Sequence, residues 1–463
     1  MSSATQASSP KTCIIGAGIS GLALAWQLKR QGHDSTVLEQ SAQVGGAMRS
    51  YRAGAYLAEE GPNSLLLNSL EIEDFLYSVP GLEDAIIEAK PEARKRFIVR
   101  DGQPHAVPMG PLSALTTPLW SCGAKLRILA EPWIQPAPAQ CEESVADFVR
   151  RRLGEELYRY AVNPLVGGIY AGDPEQLSLR CAFPKLHDLE QHHGGLIRGA
   201  IAKQKAARSA SGPQVRKRII SFEDGMAQLP ERLAAALDHS VHTGVHIQSL
   251  RNSDRIWTVK WSNPDGTQSE CNYDRIVLTV PAHRLTHLPV DTQLKNQLNA
   301  LGRIDYPPVS VLSLAFKRQH VAHAIDGFGV LVPECEQRKI LGVLFPTSLF
   351  AQRAPADEVL LTVFVGGTRQ PEFATTDTKA LQATVLTELG QLLGVNGTPT
   401  FVHHKHWEKA IPQYTLGYDK HLALMQQIEA QHPGLQLAGN YRSGISVSYC
   451  LEAALATASR QFS

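Results

Sequence analysis

The segment after Pro10 restricts the fold more than any other part of the sequence. A short apolar strand at residues 11–15 runs into a glycine-rich turn, and the helical pattern LALAWQLKRQG and a second strand, Ser35–Leu38, follow it. The turn has the spacing Gly-x-Gly-x-x-Gly and consists of Gly16, Ala17, Gly18, Ile19, Ser20 and Gly21. Such glycines let the backbone approach a pyrophosphate at a helix N-terminus. The pattern therefore predicts a strand–helix–strand nucleotide-binding unit.

An acidic residue ends the second strand of this unit. Glu39, with Gln40 beside it, stands where a carboxylate normally binds a ribose hydroxyl. The motif alone does not separate NAD from FAD. The continuation through Gly45, Gly46, Ala47 and Arg49 resembles the Gly-Gly-x-x-Arg segment of the FAD-dependent amine-oxidase superfamily, in which the arginine neutralises the pyrophosphate. A plain glycine turn with a surface arginine is the alternative interpretation.

Three more segments resemble flavin contacts of that superfamily. One is a loop whose backbone passes the isoalloxazine ring, one is a valine on a middle strand, and one is a C-terminal glycine turn between the strand Leu435–Leu437 and a helix beginning near Tyr449. Generic turns and a buried strand valine are the competing interpretations. The candidate cofactor-binding residues are Gly61, Pro62, Asn63, Ser64, Val245, Gly439, Asn440, Ile445, Ser446 and Val447. A second Gly-x-Gly-x-x-Gly is missing, so FAD is the expected cofactor, without NAD(P)H.

Charge and cysteine usage narrow the possible partners and compartment. The 45 Lys+Arg and 44 Asp+Glu give a net charge of +1, which argues against nucleic acid as a partner. The 7 cysteines include no CxxC pair and are expected to be reduced, as in an intracellular protein. The Ser-rich start, residues 1–10, has neither the basic residues nor the apolar stretch of a signal or transit peptide. We therefore expect a cytoplasmic protein, or an organellar one if a transit peptide has been removed.

The segment 108–165 differs from the rest of the chain. It is apolar and helical, with Trp120 and Trp133 among Leu, Pro and the basic residues Lys125 and Arg127. Amphipathic surfaces of this composition seat themselves in membrane interfaces. An ordinary helical cap over a cavity is an equal alternative.

Segments in order along nearly the whole chain resemble the oxygen-dependent protoporphyrinogen oxidase family, closest to its mitochondrial and plant-type branch. They include NPLVGGIYAGDP from residue 163, SFEDGMAQLP from residue 221, LGVLFPTSLFAQRAP from residue 341, FVGG from residue 364 and AIPQY from residue 410. The resemblance implies that protoporphyrinogen IX and three O2 give protoporphyrin IX and three H2O2. It also implies an α/β multi-domain fold with a Rossmann-like FAD-binding domain of the p-hydroxybenzoate-hydroxylase type, a mixed-sheet substrate domain and a helical, membrane-facing domain.

The same resemblance implies a division of the chain, which at 463 residues is too long for one core. The FAD-binding domain takes residues 10–92, 216–300 and 403–460. The substrate domain takes 93–106 and 301–402, and the helical domain takes 107–215.

The resemblance also assigns roles at the site. The family's propionate-binding arginine corresponds to Arg96, and its apolar slot corresponds to Leu331, Leu344 and Phe364. Its glycine on a loop over the flavin, whose carbonyl positions or polarises the substrate, corresponds to Gly168. The family's tryptophan near the flavin corresponds to Trp407. A solvated basic cluster, ordinary core residues and a core tryptophan are the alternatives.

The sequence leaves alternative functions and several binding partners open. His403, His404 and His406 lie on a probable strand without metal-ligand spacing, so no metal is expected. A coproporphyrinogen III oxidase, an amine oxidase and a non-catalytic porphyrin carrier are the alternative functions. A homodimer, peripheral contact with a membrane (the inner membrane in a bacterium) and product transfer to ferrochelatase are the expected associations.

Overall fold

A computed structural model describes residues 10–138, 141–209 and 216–462. The Ser-rich start up to residue 9, and the few helical-domain residues between these ranges, lie outside them. The strands of the described chain are β1 Thr12–Ile15, β2 Ser35–Leu38, β3 Ser50–Ala53, β4 Tyr56–Glu59, β5 Leu65–Leu67, β6 Ile86–Glu88, β7 Lys95–Arg100, β8 Gln103–Ala106, β9 Arg218–Phe222, β10 Val241–His242, β11 His246–Ser253, β12 Ile256–Ser262, β13 Gln268–Tyr273, β14 Arg275–Leu278, β15 Val309–Lys317, β16 Gly327–Leu331, β17 Gly342–Leu344, β18 Glu358–Gly366, β19 Phe401–Trp407 and β20 Leu435–Leu437.

The α-helices of the described chain fall into short connectors and a few longer elements that cover the sheets. They are α1 Ile19–Arg30, α2 Leu70–Ser78, α3 Pro111–Thr116, α4 Cys122–Leu129, α5 Val145–Leu153, α6 Glu155–Leu157, α7 Asn163–Tyr170, α8 Leu179–Ala182, α9 Pro184–His193, α10 Leu196–Ser209, α11 Gln228–Leu237, α12 Ala282–Leu285, α13 Thr292–Leu301, α14 Pro346–Leu349, α15 Pro371–Ala374, α16 Thr378–Leu393, α17 Asp419–Gln431, α18 Asn440–Ser443 and α19 Val447–Phe462.

The nucleotide-binding unit forms as predicted. Strands β10, β2, β1, β14 and β20 lie in this order in a parallel sheet. Every residue of β1 is buried, because helices and loops cover both faces of the sheet. Helices α1 and α19 contribute Leu22, Leu451 and Leu455 to the core on one face. The sheet thus joins strands from both ends and the middle of the chain.

A mixed sheet of seven strands forms the second layer of the molecule, in the order β19-β15-β18-β17-β16-β7-β8. Helix α16 covers one of its faces, where Leu381 and Val385 join Leu361 and Val363 in a buried cluster. Strand β19 pairs with β15 along its whole length. The predicted domain boundary between residues 402 and 403 therefore cuts a strand, and we place it after Trp407 instead.

The C-terminal segment differs in detail from the prediction. The expected turn at residues 438–441 leads into one helical turn, α18, and the final helix begins at Val447 rather than near Tyr449. Gly439 and Gly444, with φ of +126° and +114°, break the chain on either side of α18. Ser446 then caps the final helix, because its hydroxyl accepts a 3.2 Å hydrogen bond from the Tyr449 N–H, and the helix begins at the next residue.

Residues 111–138 and 141–209 are largely helical, as expected. The first of these ranges exposes large apolar side chains, including Leu112 at 77% and Trp133 at 78% exposure. Within the described ranges, none of the helices combines the length and apolarity that crossing a bilayer requires.

Candidate active site

The glycine turn after β1 is built around close backbone contacts. Gly16 has φ of +110°, and its carbonyl accepts a hydrogen bond of 2.8 Å from the Thr279 hydroxyl. A Cβ on Gly21 would lie 2.1 Å from the Gly16 oxygen, so only glycine lets the helix pack this closely on the turn. A Cβ on Gly18, in contrast, would meet nothing within 4 Å. Gly18 therefore borders open space in front of the helix N-terminus, which suits a pyrophosphate.

Glu39 closes one side of this space. Its Oε2 accepts a hydrogen bond of 2.7 Å from the Ala17 N–H, and its Oε1 accepts one of 2.8 Å from Ser41. The N–H of the buried Val245 donates to the Glu39 carbonyl over 3.0 Å, which brings these two predicted residues together. Gln40 is exposed beside them. The carboxylate keeps lone pairs free for two ribose hydroxyls.

The paired glycines and the following loop lie over the turn. The Gly45 N–H donates to the Ala17 carbonyl over 2.8 Å, and Arg49 Nε donates to the Gly46 carbonyl over 3.1 Å. A Cβ on Gly61 would lie 2.0 Å from the Ala47 oxygen. Residues 45–49 and 61–64 consequently pack on each other and on the glycine turn. We call these three segments together the cradle.

A buried acceptor in this cradle has no hydrogen-bond partner among the described residues. Asn63 Nδ2 donates to the Gly61 carbonyl over 3.1 Å, whereas its Oδ1 is buried without a partner in that part of the chain. Such a group costs free energy unless a ligand satisfies it. A flavin ring carries N–H donors, so the residues present fit FAD. Pro62 and Ser64, on either side of Asn63, are half-buried.

The C-terminal turn completes the cradle from the opposite end of the chain. The Tyr414 hydroxyl contacts the Asn440 carbonyl and accepts a 2.9 Å hydrogen bond from the Gly444 N–H. Beyond Ile445 and Ser446, Cys450 of α19 is hydrogen-bonded to Ser20 of α1, and burial raises its thiol pKa to about 11. The N-termini of α1 and α19 therefore lie side by side, and both favour negative charge.

The predicted slot residues share one face of the seven-stranded sheet. Leu331 pairs with Gly342, which pairs with Phe364, and Leu344 stands two residues along from Gly342. Because side chains alternate along a strand and paired residues share a face, Leu331, Leu344 and Phe364 point to the same side. All three are only half-buried. They form an apolar surface that remains open on the face opposite α16.

Arg96 lies at one end of this face. The register pairs Arg96 with Gly329, beside an irregularity between Gly327 and Gly329. Its side chain is exposed, and its guanidinium lies 5.1 Å from the centre of the Phe328 ring. Three strand spacings of about 4.8 Å separate β7 from β18, so the two backbones lie roughly 14 Å apart across the sheet.

Gly168 faces the slot from above, but its local structure differs from the prediction. It lies in the last turn of α7 and not in a loop, because the helix continues to Tyr170 and ends at Ala171, which has φ of +49°. A Cβ on Gly168 would lie 2.5 Å from Leu331 Cδ2. The carbonyls of a last helical turn have no N–H partner within the helix, so the Gly168 oxygen can accept a hydrogen bond from outside α7.

Trp407 connects the slot to the cradle. Its indole N–H donates to the Glu60 carbonyl over 2.7 Å, and its ring packs in the same cluster as Phe364. His403 and Lys405, also on β19, contact the Glu60 carboxylate at 2.9 and 3.3 Å. The edge strand of the seven-stranded sheet therefore holds the loop that carries Asn63.

Glu59, which no motif in the sequence singles out, is buried next to this loop. It is 4% exposed and hydrogen-bonded with Ser50 at 2.5 Å and the Met226 N–H at 2.9 Å. Burial raises its carboxyl pKa to about 7, against the lowering effect of these hydrogen bonds and of Arg353. Glu59 ends β4 and Glu60 follows it, and the sequence alone does not indicate which of the two side chains is buried.

The cradle and the slot together define a flavin-dependent oxidoreductase, with FAD as its cofactor. The chain belongs to the flavin containing amine oxidoreductase family, whose model matches residues 19–460. It is 34% identical to protoporphyrinogen oxidase 2, chloroplastic/mitochondrial, of Arabidopsis thaliana, over 95% of this chain and 91% of that protein. It is 24% identical to coproporphyrinogen III oxidase of Bacillus subtilis, over 95% of each.

Solved structures have the same fold. A provisionally named protoporphyrinogen oxidase from Exiguobacterium sp. 255-15 matches with a TM-score of 0.79 and 24% identity, over 98% of this chain and 99% of that one.

Proposed function

We propose that this chain is a protoporphyrinogen oxidase, which oxidises protoporphyrinogen IX to protoporphyrin IX and reduces three O2 to three H2O2. The observation that carries the proposal is the apolar face of Leu331, Leu344 and Phe364, joined to the flavin loop by Trp407 and ended by Arg96. A large flat ring with carboxylates on one edge matches a wide apolar surface with a cation at its end. The 34% identity to the Arabidopsis enzyme supports the same substrate.

The chain's own groups position this substrate. When bound, FAD supplies the hydride acceptor and passes electrons to oxygen. Phe364 offers a ring face for stacking, and Arg96 offers a charge-assisted contact to a propionate. We expect the Gly168 carbonyl, in the last turn of α7, to accept from the pyrrole N–H groups. Because α7 contacts Leu331 directly, the macrocycle would lie on the sheet face beside α7, where the helix and the sheet exclude water from the reacting carbon.

The test is anaerobic mixing of the FAD-loaded protein with protoporphyrinogen IX and, separately, with coproporphyrinogen III. We expect the flavin absorbance to bleach with both and faster with protoporphyrinogen, and air to restore it with release of H2O2. Faster bleaching by coproporphyrinogen, whose four propionates need a more basic pocket, would assign the chain to that substrate. Bleaching only by polyamines would indicate an amine oxidase, and no bleaching would indicate a porphyrin carrier.

We also propose that the protein binds a membrane surface through α3, α4 and the turn Glu131–Trp133. The side chains exposed there are large and apolar, which is unusual for a surface in contact only with water. They are Met109, Leu112, Leu115, Leu126, Leu129 and Trp133, each more than 60% exposed. Co-sedimentation with phospholipid vesicles should fall strongly when Leu112, Leu126 and Trp133 are replaced by serine together. Equal sedimentation of both proteins would refute the surface.

A homodimer and transfer of the product to ferrochelatase remain predictions. Light scattering of the purified protein tests the first. The second is tested by asking whether protoporphyrin reaches ferrochelatase faster than it exchanges with vesicles.

A further inference from the structure

Arg369, just beyond β18, holds the start of helix α7 against the slot. Its side chain is only 9% exposed. One terminal nitrogen donates to the Val332 carbonyl over 3.0 Å, and the other donates to the Asn163 carbonyl over 3.0 Å and to Asn163 Oδ1 over 2.7 Å. A single guanidinium therefore joins the first residue of α7 to the end of β16, the strand that carries Leu331.

The side chain of Asn163 strengthens this junction. Its Nδ2 donates to the Glu334 carboxylate over 3.0 Å, and its Oδ1 accepts from the Glu334 N–H over the same distance. Glu334 also lies 4.0 Å from Arg369 Nε. The amide thus satisfies three groups at once, and it holds a buried cation close to a carboxylate.

Other contacts hold the far end of α7. The Gln413 amide donates to the Tyr170 carbonyl over 2.9 Å, and the Thr368 N–H donates to the Ala171 carbonyl over 2.8 Å. Gln413 is 2% exposed. Because both ends of α7 are hydrogen-bonded to side chains or backbone outside the helix, α7 cannot tilt without breaking buried hydrogen bonds.

The distance between the helix and the sheet is set at two adjacent glycines. A Cβ on Gly167 would lie 2.9 Å from an Arg369 terminal nitrogen, and one on Gly168 would lie 2.5 Å from Leu331 Cδ2. Arg369 therefore acts as a spacer as well as a tie. The height that it sets fixes where the Leu331 side chain can lie beside a flat substrate on the sheet face.

We infer that Arg369, with Asn163 as its partner, is a positioning residue that sets the height of α7 over the slot and so determines which macrocycles react. The inference rests on the proposed function of the slot. Arg369 acts through α7 and need not touch the substrate. Lysine keeps the charge but cannot reach three acceptors in the same fixed plane.

Arg369→Lys is the informative variant, and Arg338→Lys is its matched control. Arg338 is similarly buried at 14% exposure, but it bonds Glu388 and Gln391, with Glu388 on α16 behind the sheet. Melting temperature and bound FAD should be similar in the two variants. Amide hydrogen exchange within residues 163–172 should rise in Arg369→Lys alone. Its kcat/KM for protoporphyrinogen IX should fall at least about tenfold, with a changed ratio to coproporphyrinogen III.

The outcomes separate the two proposals. If the wild-type protein oxidises neither porphyrinogen, the proposed function fails. Hydrogen exchange in α7 still tests whether Arg369 holds the helix through Asn163. Unchanged exchange in α7 together with an unchanged kcat/KM would overturn the inference. A loss of activity in Arg369→Lys that follows loss of FAD or of melting temperature would show a structural role only, and would also overturn it. Arg369→Met, which lacks the charge, should show a larger effect in the same direction.

Discussion

Gly168→Ala adds a single methyl group where helix α7 meets the slot. The new Cβ would lie 2.5 Å from Leu331 Cδ2, and ordinary contact begins at 3.4 Å. The leucine methyl must therefore retreat by about 0.9 Å, the difference between these distances. Overpacking costs about 1–3 kcal/mol, whereas alanine in place of a helical glycine returns about 1 kcal/mol. The free energy of unfolding should consequently fall by about 2 kcal/mol or less.

Substrate binding should suffer more than folding. Leu331 is only half-buried, so the side chain can turn away from the helix into the slot that the macrocycle needs. A loss of about 1 kcal/mol or more in binding corresponds to a rise of roughly fivefold or more in KM. Steady-state oxidation of protoporphyrinogen IX and fluorescence titration with protoporphyrin IX measure KM and Kd, and calorimetry measures the melting temperature.

Two further variants make this result decisive. Gly123→Ala is the control, since a Cβ on this helical glycine of α4 meets only Ser121 Oγ, at 3.8 Å. In the double variant Gly168→Ala with Leu331→Ala, the shortened side chain removes the clash, so Gly168→Ala should raise KM less in the Leu331→Ala background than in wild type. Wild-type KM and Kd in Gly168→Ala, or an equal rise in KM in both backgrounds, would refute the placement of α7 over the slot.

The remaining predictions concern Glu59, Arg96 and the glycine turn. Glu59 has a folded pKa of about 7 against its ordinary 4.5, so the folded state binds the proton more tightly and stability falls as pH rises from about 4.5 to about 7. That difference in pKa corresponds to roughly 3 kcal/mol. Between pH 5 and pH 8 the free energy of unfolding, measured in urea, should therefore fall more in wild type than in Glu59→Gln, by about this amount. Equal losses in the two proteins would contradict the burial argument. Arg96→Ala should raise KM by roughly tenfold to a hundredfold or more, because a charge-assisted contact worth roughly 1.5–3 kcal/mol is lost. kcat should be nearly unchanged, and an unchanged KM would remove Arg96 from the site. Gly18→Val should lower the amount of bound FAD while the apoprotein stays folded, because a Cβ at residue 18 meets no described atom within 4 Å. Gly21→Ala should instead destabilise the fold itself. Circular dichroism and flavin absorbance distinguish the two effects, and full FAD occupancy in Gly18→Val would place the cofactor elsewhere.

The nucleotide-binding unit was predictable because its signals are local. The strand, glycine turn, helix and acid occupy residues 11–39, and each step depends on neighbours in the sequence. The structure confirms β1, α1 and β2, with Glu39 directly after β2. The expected loop at Gly168 was wrong, because a Gly-Gly pair within NPLVGGIY does not end the helix when its neighbours are tied down.

The sequence by itself determined the Gly-x-Gly-x-x-Gly turn, its acid and the helical character of the middle segment. Only the tertiary structure decided that Arg96, Leu331, Phe364 and Trp407 lie along one sheet. Those residues sit on four strands far apart in the chain, and strand register depends on long-range pairing that no local pattern encodes. The same holds for Arg369, whose role arises from acceptors that folding brings to it.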